Sequence, residues 1–308
     1  MTTTDKPTLE STLKSTDTEE FIDIYFYRPI GYRWALLFQK LGVSPNAVTI
    51  ASIFLGVGAG VCFYFQELWI TLLGIFLLVW ANSYDSADGQ LARMTKQFSA
   101  LGRVLDGFAG NLWFASIYIA ICLRLYPEWG IWIWVLAIVT GIFHSKQAAM
   151  ADYYRNAHLL FLKGEEGSEL DNTFELKEKN QTLTWTGNFW EKLVLTFYTN
   201  YTKGQEDLSP GLQEMFKTLR ETFGSVSAAP QTFRDDFRTK SLPMMKWTNI
   251  LSFNTRAIAL FVSVLIGWPW LYFVFELIVL NAIFVHMIYT HEKFSRSFSE
   301  AVKAGKYS

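Results

Sequence analysis

The chain has 308 residues, 51% hydrophobic and 17% aromatic, with 12 Trp. The apolar residues are bunched into long runs, the pattern of a membrane protein rather than a soluble domain. A formal net charge of -1 excludes the basic footprint of nucleic-acid binding, and the two cysteines, Cys62 and Cys122, both lie in apolar runs, where packing is expected rather than a disulfide or metal site.

The first twenty residues are rich in Thr, Ser, Asp and Glu. They lack a basic n-region and an apolar h-region, so no cleaved signal peptide is indicated and a solvated polar tail (1–20) is expected. Residues 21–41 mix aromatics with Arg28, Arg33 and Lys40, and Phe26, Ile30, Trp34, Leu37 and Leu41 recur at helical spacing. This predicts an amphipathic juxtamembrane helix on the membrane surface, with Pro29 starting or breaking it. Ser44 is then a suitable N-cap, with Pro45 at the first helical position of the next helix.

Six spans are expected: Val48 to Phe65, Leu68 to Tyr84, Leu101 to Leu125, Trp129 to Met150, Trp247 to Gly267 and Trp268 to Tyr289. Each is close to the ~20 residues that cross ~30 Å of hydrocarbon. The fold class is therefore all-α, a polytopic membrane protein. Its membrane domain takes 42–161 for the first four spans and 247–292 for the last two, with a C-terminal tail at 293–308. Between them, 162–246 is polar but too long for a structureless loop. Its apolar spacing (Trp185, Phe189, Trp190, Leu193, Val194 and Phe197, then Phe216, Leu219 and Phe223) predicts a small helical cytoplasmic insert. Basic residues gather on one side of the spans, and only Arg124 is basic in the short links on the other. The positive-inside rule then puts both termini in the cytoplasm.

The chemistry-bearing stretch lies between the second and third spans. Asp85 and Asp88 are one helical turn apart, Gly89 follows, and Arg93 lies one turn beyond. Asp106 comes from the next helix, after Gly102. Carboxylates at a membrane edge are costly unless solvated or holding a cation. Hard oxygen ligands beside glycines and an arginine read as a site for a divalent metal and phosphate. Oxygen-only ligands favour Mg2+ or Mn2+ over zinc.

This stretch resembles the signature of the CDP-alcohol phosphotransferases, D-x2-D-G-x2-A-R-x8-G-x3-D-x3-D. Asp85, Asp88, Gly89, Ala92, Arg93, Gly102 and Asp106 stand on seven of its eight fixed positions, and Gly110 stands where the last Asp belongs. The resemblance implies an integral membrane transferase that passes a substituted phosphate from a CDP-linked donor to an alcohol acceptor and releases CMP, in phospholipid or sphingolipid synthesis. It also implies two divalent ions held by Asp85, Asp88 and Asp106, and a CDP pocket lined by Gly89, Ala92, Arg93 and Gly102, with Asn46 touching the nucleotide. A homodimer is implied too. The six-span architecture points to a bacterial inner membrane rather than the endoplasmic reticulum, with the motif on the cytoplasmic side.

In that family the last Asp is the proposed base, so Gly110 leaves three readings. The acceptor is an anion or is activated otherwise, His144 or Asp152 substitutes, or the protein binds CDP-lipid without turnover, as a pseudoenzyme or the partner of an active homologue. Lys146 and Arg155, near the end of the fourth span, are candidates for a substrate phosphate, or Arg155 simply pairs with Asp152. Arg256, inside the fifth span, either marks a phosphate or polar path or snorkels to the headgroups. His286 and His291 are expected at the interface.

Overall fold

In the computed structural model, residues 8, 9, 12, 15–98 and 100–307 are described, with the backbone alone for Ala100, Leu101, Arg103, Val104, Asp106 and Glu166. Among them the chain is all helix, with no strand. Six helical stretches are long and apolar enough to cross a membrane: Pro45–Cys62, Leu68–Thr95, Gly107–Trp129, Trp132–Lys163, Gln231–Leu265 and Trp270–Lys303. The chain divides into two compact units. One is Met1–Ile142 with Arg256–Leu277, and the other is Phe143–Thr255 with Ile278–Ser308.

In the first unit, a π-helical turn at Asp23–Tyr27 leads into α1 (Arg28–Leu41), with Pro29 in its first turn, where a missing N–H costs nothing. Gly42 closes α1 at φ 68°, a left-handed conformation that favours glycine. Helix α2 (Pro45–Cys62) begins as its sequence suggests: the Ser44 Oγ accepts from the Ala47 N–H at 3.3 Å and Pro45 opens the first turn. Helices α3 (Leu68–Thr95) and α4 (Ala100–Trp129) follow, and α2 packs against both.

Small residues make that packing close. A Cβ on Gly56 would stand 2.1 Å from Trp113 Cδ1, and one on Gly60 would stand 2.1 Å from Ser116 Oγ. Helix α1 lies on α3 in the same way, with Gly31 against Ser86. Around that contact, Ala35, Val48, Ala87 and Leu91 form a buried core flanked by Trp34, Phe38 and Tyr84. At the far end of α4, Arg124 Nη1 donates to the carbonyl oxygens of Phe63 and Phe65, satisfying acceptors where α2 ends. Cys62 and Cys122 are both free thiols.

The tail departs from the solvated expectation where it is described. Thr12, Ser15 and Thr18 are buried. Glu19 grips Arg28 with two hydrogen bonds of 2.9 Å, and Arg28 Nη1 reaches Ser86 Oγ at 3.4 Å. The physical reason is that the polar side chains find partners on α1 and α3.

Helix α5 (Trp132–Lys163) runs from the first unit into the second. The 162–246 segment is helical as expected, with α6 (Thr173–Thr182), α7 (Phe189–Asp207), α8 (Pro210–Phe223), α9 (Gln231–Ser241) and α10 (Met245–Ile250). The fifth and sixth apolar stretches carry α11 (Phe253–Leu265), then α12 (Trp270–Phe275), a π-helical turn at Glu276–Leu280 and α13 (Asn281–Lys303). In the second unit α8 packs along α13. There Glu292 accepts from the Gly211 N–H at 2.6 Å, capping the positive end of α8 with a carboxylate.

Candidate functional site

The motif sits on the last turns of α3, where an apolar helix becomes polar. Asp85 is half-buried and Asp88 is buried. Thr49 of α2 donates its hydroxyl to Asp88 Oδ2 at 2.5 Å. A buried carboxylate that accepts a hydrogen bond is held in one rotamer, which is what an ion ligand needs. Nothing in the sequence pattern singled out Thr49, because it acts only once α2 lies against α3.

Arg93 lies over Gly89. A Cβ there would be 3.5 Å from Arg93 Nη2, ordinary contact with a guanidinium folded back on its own helix. Arg93 Nε also donates to the Thr12 carbonyl oxygen at 2.6 Å. Thr12 in turn hydroxyl-bonds Gln90 Oε1 at 3.4 Å, and the fully buried Gln90 donates its amide to the Arg28 carbonyl at 3.1 Å. The tail therefore reaches the arginine that the motif assigns to phosphate, and Gln90 is a second participant that the motif passes over.

Ala92 and Asn46 are half-buried, Asn46 in the first turn of α2. Gly102 and Gly110 lie on α4. The side chain of Asp106 lies outside the described residues. Among the described residues no three His, Cys, Asp or Glu side chains converge as a metal site. Asp85 and Asp88 fit a hard divalent cation by donor type and by their one-turn spacing. Among the described residues, an added Cβ on Gly110 would meet nothing within 4 Å. The position is open space, not a glycine demanded by close helix packing, which separates it from Gly56 and Gly60.

The weaker candidates of the second unit fall differently. Arg155 does not pair with Asp152. Its Nη2 donates to Ser252 Oγ at 2.7 Å and Asn249 Oδ1 at 3.3 Å, tying α5 to the turn before α11, while Asp152 accepts from Asn156 at 3.2 Å. His144 is buried. Lys146 is exposed and lines a cavity of about 350 Å³ with Ser145, Asn200, Tyr201, Gly204 and Asp207. His286 stacks edge-on against Trp247, whereas His291 is buried face to face with Tyr154 at 3.8 Å, not at an interface.

Arg256 neither snorkels nor reaches solvent. It is 1% exposed, and its Nη1 binds Glu276 Oε1 at 2.8 Å. The hydroxyls of Tyr118 and Tyr272 donate to the same carboxylate, each at 2.5 Å. The signal that finds this partner is a lone Glu in the sixth apolar run. A carboxylate there is costly without an opposite charge, and Arg256 is the matching cost one span earlier.

Residues 42–157 match the family model described as CDP-alcohol phosphatidyltransferase. No curated protein and no solved structure matches the chain.

Proposed function

We propose that the chain transfers a substituted phosphate from a CDP-linked donor to an alcohol, releasing CMP, in phospholipid or sphingolipid synthesis, a reading supported by the match of residues 42–157 to the CDP-alcohol phosphatidyltransferase family model and by six helical stretches long and apolar enough to cross a membrane. The observation that carries this reading is the Asp88 carboxylate, buried on α3 and held by Thr49, one turn from Asp85, with the guanidinium of Arg93 lying over the adjacent Gly89. Hard oxygen donors next to a phosphate-binding fork suit a pyrophosphate carried on a divalent ion.

Asp85, Asp88 and Asp106 would hold Mg2+ or Mn2+. When bound, such ions supply charge neutralisation at the transferred phosphorus and the departing CMP. Arg93 forks onto phosphate oxygens, and Gly89, Ala92, Gly102 and Asn46 line the nucleotide. The acceptor oxygen forms a new bond to phosphorus, the bond from that phosphorus to the CMP oxygen breaks, and the acceptor proton passes to water. Water takes that proton because Gly110 offers no base and leaves open space where the carboxylate would stand. Loss of a positioned base typically costs 10²–10⁴-fold, so turnover is expected to be slow unless the acceptor is already anionic. The basic residues flanking the motif favour the cytoplasmic side for it and for both termini, and the six-span architecture favours a bacterial inner membrane.

The open space at Gly110 also favours a second reading, a CDP-lipid-binding protein without turnover. CMP release by the full chain in lipid nanodiscs with Mg2+ or Mn2+, across CDP-linked donors and alcohols, decides between them. Release lost in Asp106→Ala supports the transferase. No release from the native chain, with release in Gly110→Asp, supports the binding protein. Release that persists in Asp106→Ala and needs no metal refutes both.

A further inference from the structure

Helix α7 is inverted relative to an ordinary surface helix. Its buried face carries Leu195, Thr199, Thr202 and Gln205, three of them polar. Its opposite face carries Trp190, Leu193, Val194, Phe197 and Tyr201, spaced at i, i+3, i+4, i+7 and i+11. Trp190 is 74% exposed, Phe197 69% and Tyr201 39%. These values match the exposed apolar residues on the sixth apolar stretch of the same unit, Ile278 at 65% and Val285 at 64%. The charged residues of α7, Glu191, Lys192, Lys203, Glu206 and Asp207, stand off this stripe, and Lys192 is turned back to the carbonyls of Asn180 and Leu183.

The height of α7 is set by α5. Gln205 donates its amide to the Ala149 carbonyl oxygen at 2.8 Å, and Tyr201 and Gly204 face Ser145 and Lys146 across the cavity. Those α5 residues are where the fourth apolar run becomes polar. The stripe is therefore pinned at the boundary between hydrocarbon and headgroups, the level that Trp and Tyr prefer because one end of each ring is apolar and the other is polar.

We infer that α7 is an in-plane interfacial helix, with Trp190, Phe197 and Tyr201 seated in the lipid leaflet that the Lys146 end of α5 reaches. The occupant of the stripe is lipid rather than protein, because the Gln205–Ala149 bond and the Tyr201–Lys146 cavity hold α7 at the level where the apolar run of α5 ends. The attachment is apolar rather than electrostatic, since carboxylates outnumber lysines between Glu165 and Glu191. It places the floor of the Lys146 cavity at headgroup depth and is independent of whether the motif turns over.

The test uses the full chain in phosphatidylcholine vesicles with brominated acyl chains. A bimane label is placed by Trp190→Cys, Phe197→Cys, Glu191→Cys or Lys203→Cys on a Cys62→Ala, Cys122→Ala background. Bromolipid quenching is expected to be about threefold or more greater at 190 and 197 than at 191 and 203, unchanged by salt and by protein-to-lipid ratio. Equal quenching at all four positions, or iodide access at 190 and 197, overturns the inference. Shielding at 190 and 197 that appears only at high protein density overturns it too, because a second copy then covers the stripe. Hydroxyl-radical footprinting of the native chain in vesicles needs no substitution. Protection of Trp190 and Phe197 supports the inference, and oxidation at the rate of solvent-exposed rings refutes it.

Discussion

The buried cluster of Arg256, Glu276, Tyr118 and Tyr272 makes an asymmetric prediction. Glu276 is 1% exposed and accepts hydrogen bonds from Arg256 Nη1 at 2.8 Å and from the two tyrosine hydroxyls at 2.5 Å. Replacing Glu276 with Leu takes this carboxylate away from a buried guanidinium, which cannot shed its charge. Breaking a buried pair from one side costs about 3–5 kcal/mol, and each orphaned hydroxyl adds about 1–3 kcal/mol. Glu276→Leu should therefore lose about 5 kcal/mol or more, most of the stability of an ordinary domain. Arg256→Met should lose less, about 2–3 kcal/mol, because a carboxyl group can become neutral and Glu276 keeps both tyrosine donors. The assay is the fraction of folded protein against SDS or temperature in detergent, followed by size exclusion. Equal losses, or a greater loss in Arg256→Met, would refute the reasoning. CMP release per folded molecule should survive Arg256→Met, since the pair is structural. Its selective loss would return Arg256 to the substrate.

Four further outcomes are expected. Thr49→Val removes the donor to Asp88 without changing shape and should weaken apparent metal affinity about 10–100-fold in a Mg2+ titration of CMP release; an unchanged titration would take Thr49 out of the site. Gly56→Ala drives a Cβ to 2.1 Å from Trp113 and should cost about 1–3 kcal/mol, whereas Gly110→Ala enters open space and should be neutral or stabilising by up to about 1 kcal/mol, both read from thermal unfolding. Chelation should abolish CMP release, with return on adding Mg2+ or Mn2+; release that survives chelation would remove the ions from the reaction. Deleting residues 1–18 removes the Thr12 carbonyl from Arg93 and should lower the donor KM about threefold, the worth of one modest hydrogen bond, whereas a raised KM would make the tail part of the donor site.

What could be read from the chain alone was whatever depends on neighbours along it. Apolar runs near the length of a bilayer crossing located the spans. Ser44 and Pro45 located the start of α2, and the one-turn spacing of Asp85 and Asp88 marked a candidate site, because a helix turns that spacing into a shared face. The helical character of 162–246 followed from its apolar period. Contacts between distant parts of the chain were not legible in that way. Thr49 reaches Asp88 across 39 positions, Arg93 reaches Thr12 across 81, and Tyr118 reaches Glu276 across 158. Each is a polar group satisfying another in a buried or partly buried place, and hydropathy records only the cost of such a group, not the partner that removes it. The same limit made Arg256 read as a surface-seeking or phosphate-seeking cation, and made Gly110 indistinguishable from Gly56. Local pattern determined where helices and candidate ligands lie. Packing of helix on helix decided which charges are neutralised, which glycines are crowded and which aromatic stripe of α7 is left facing outward.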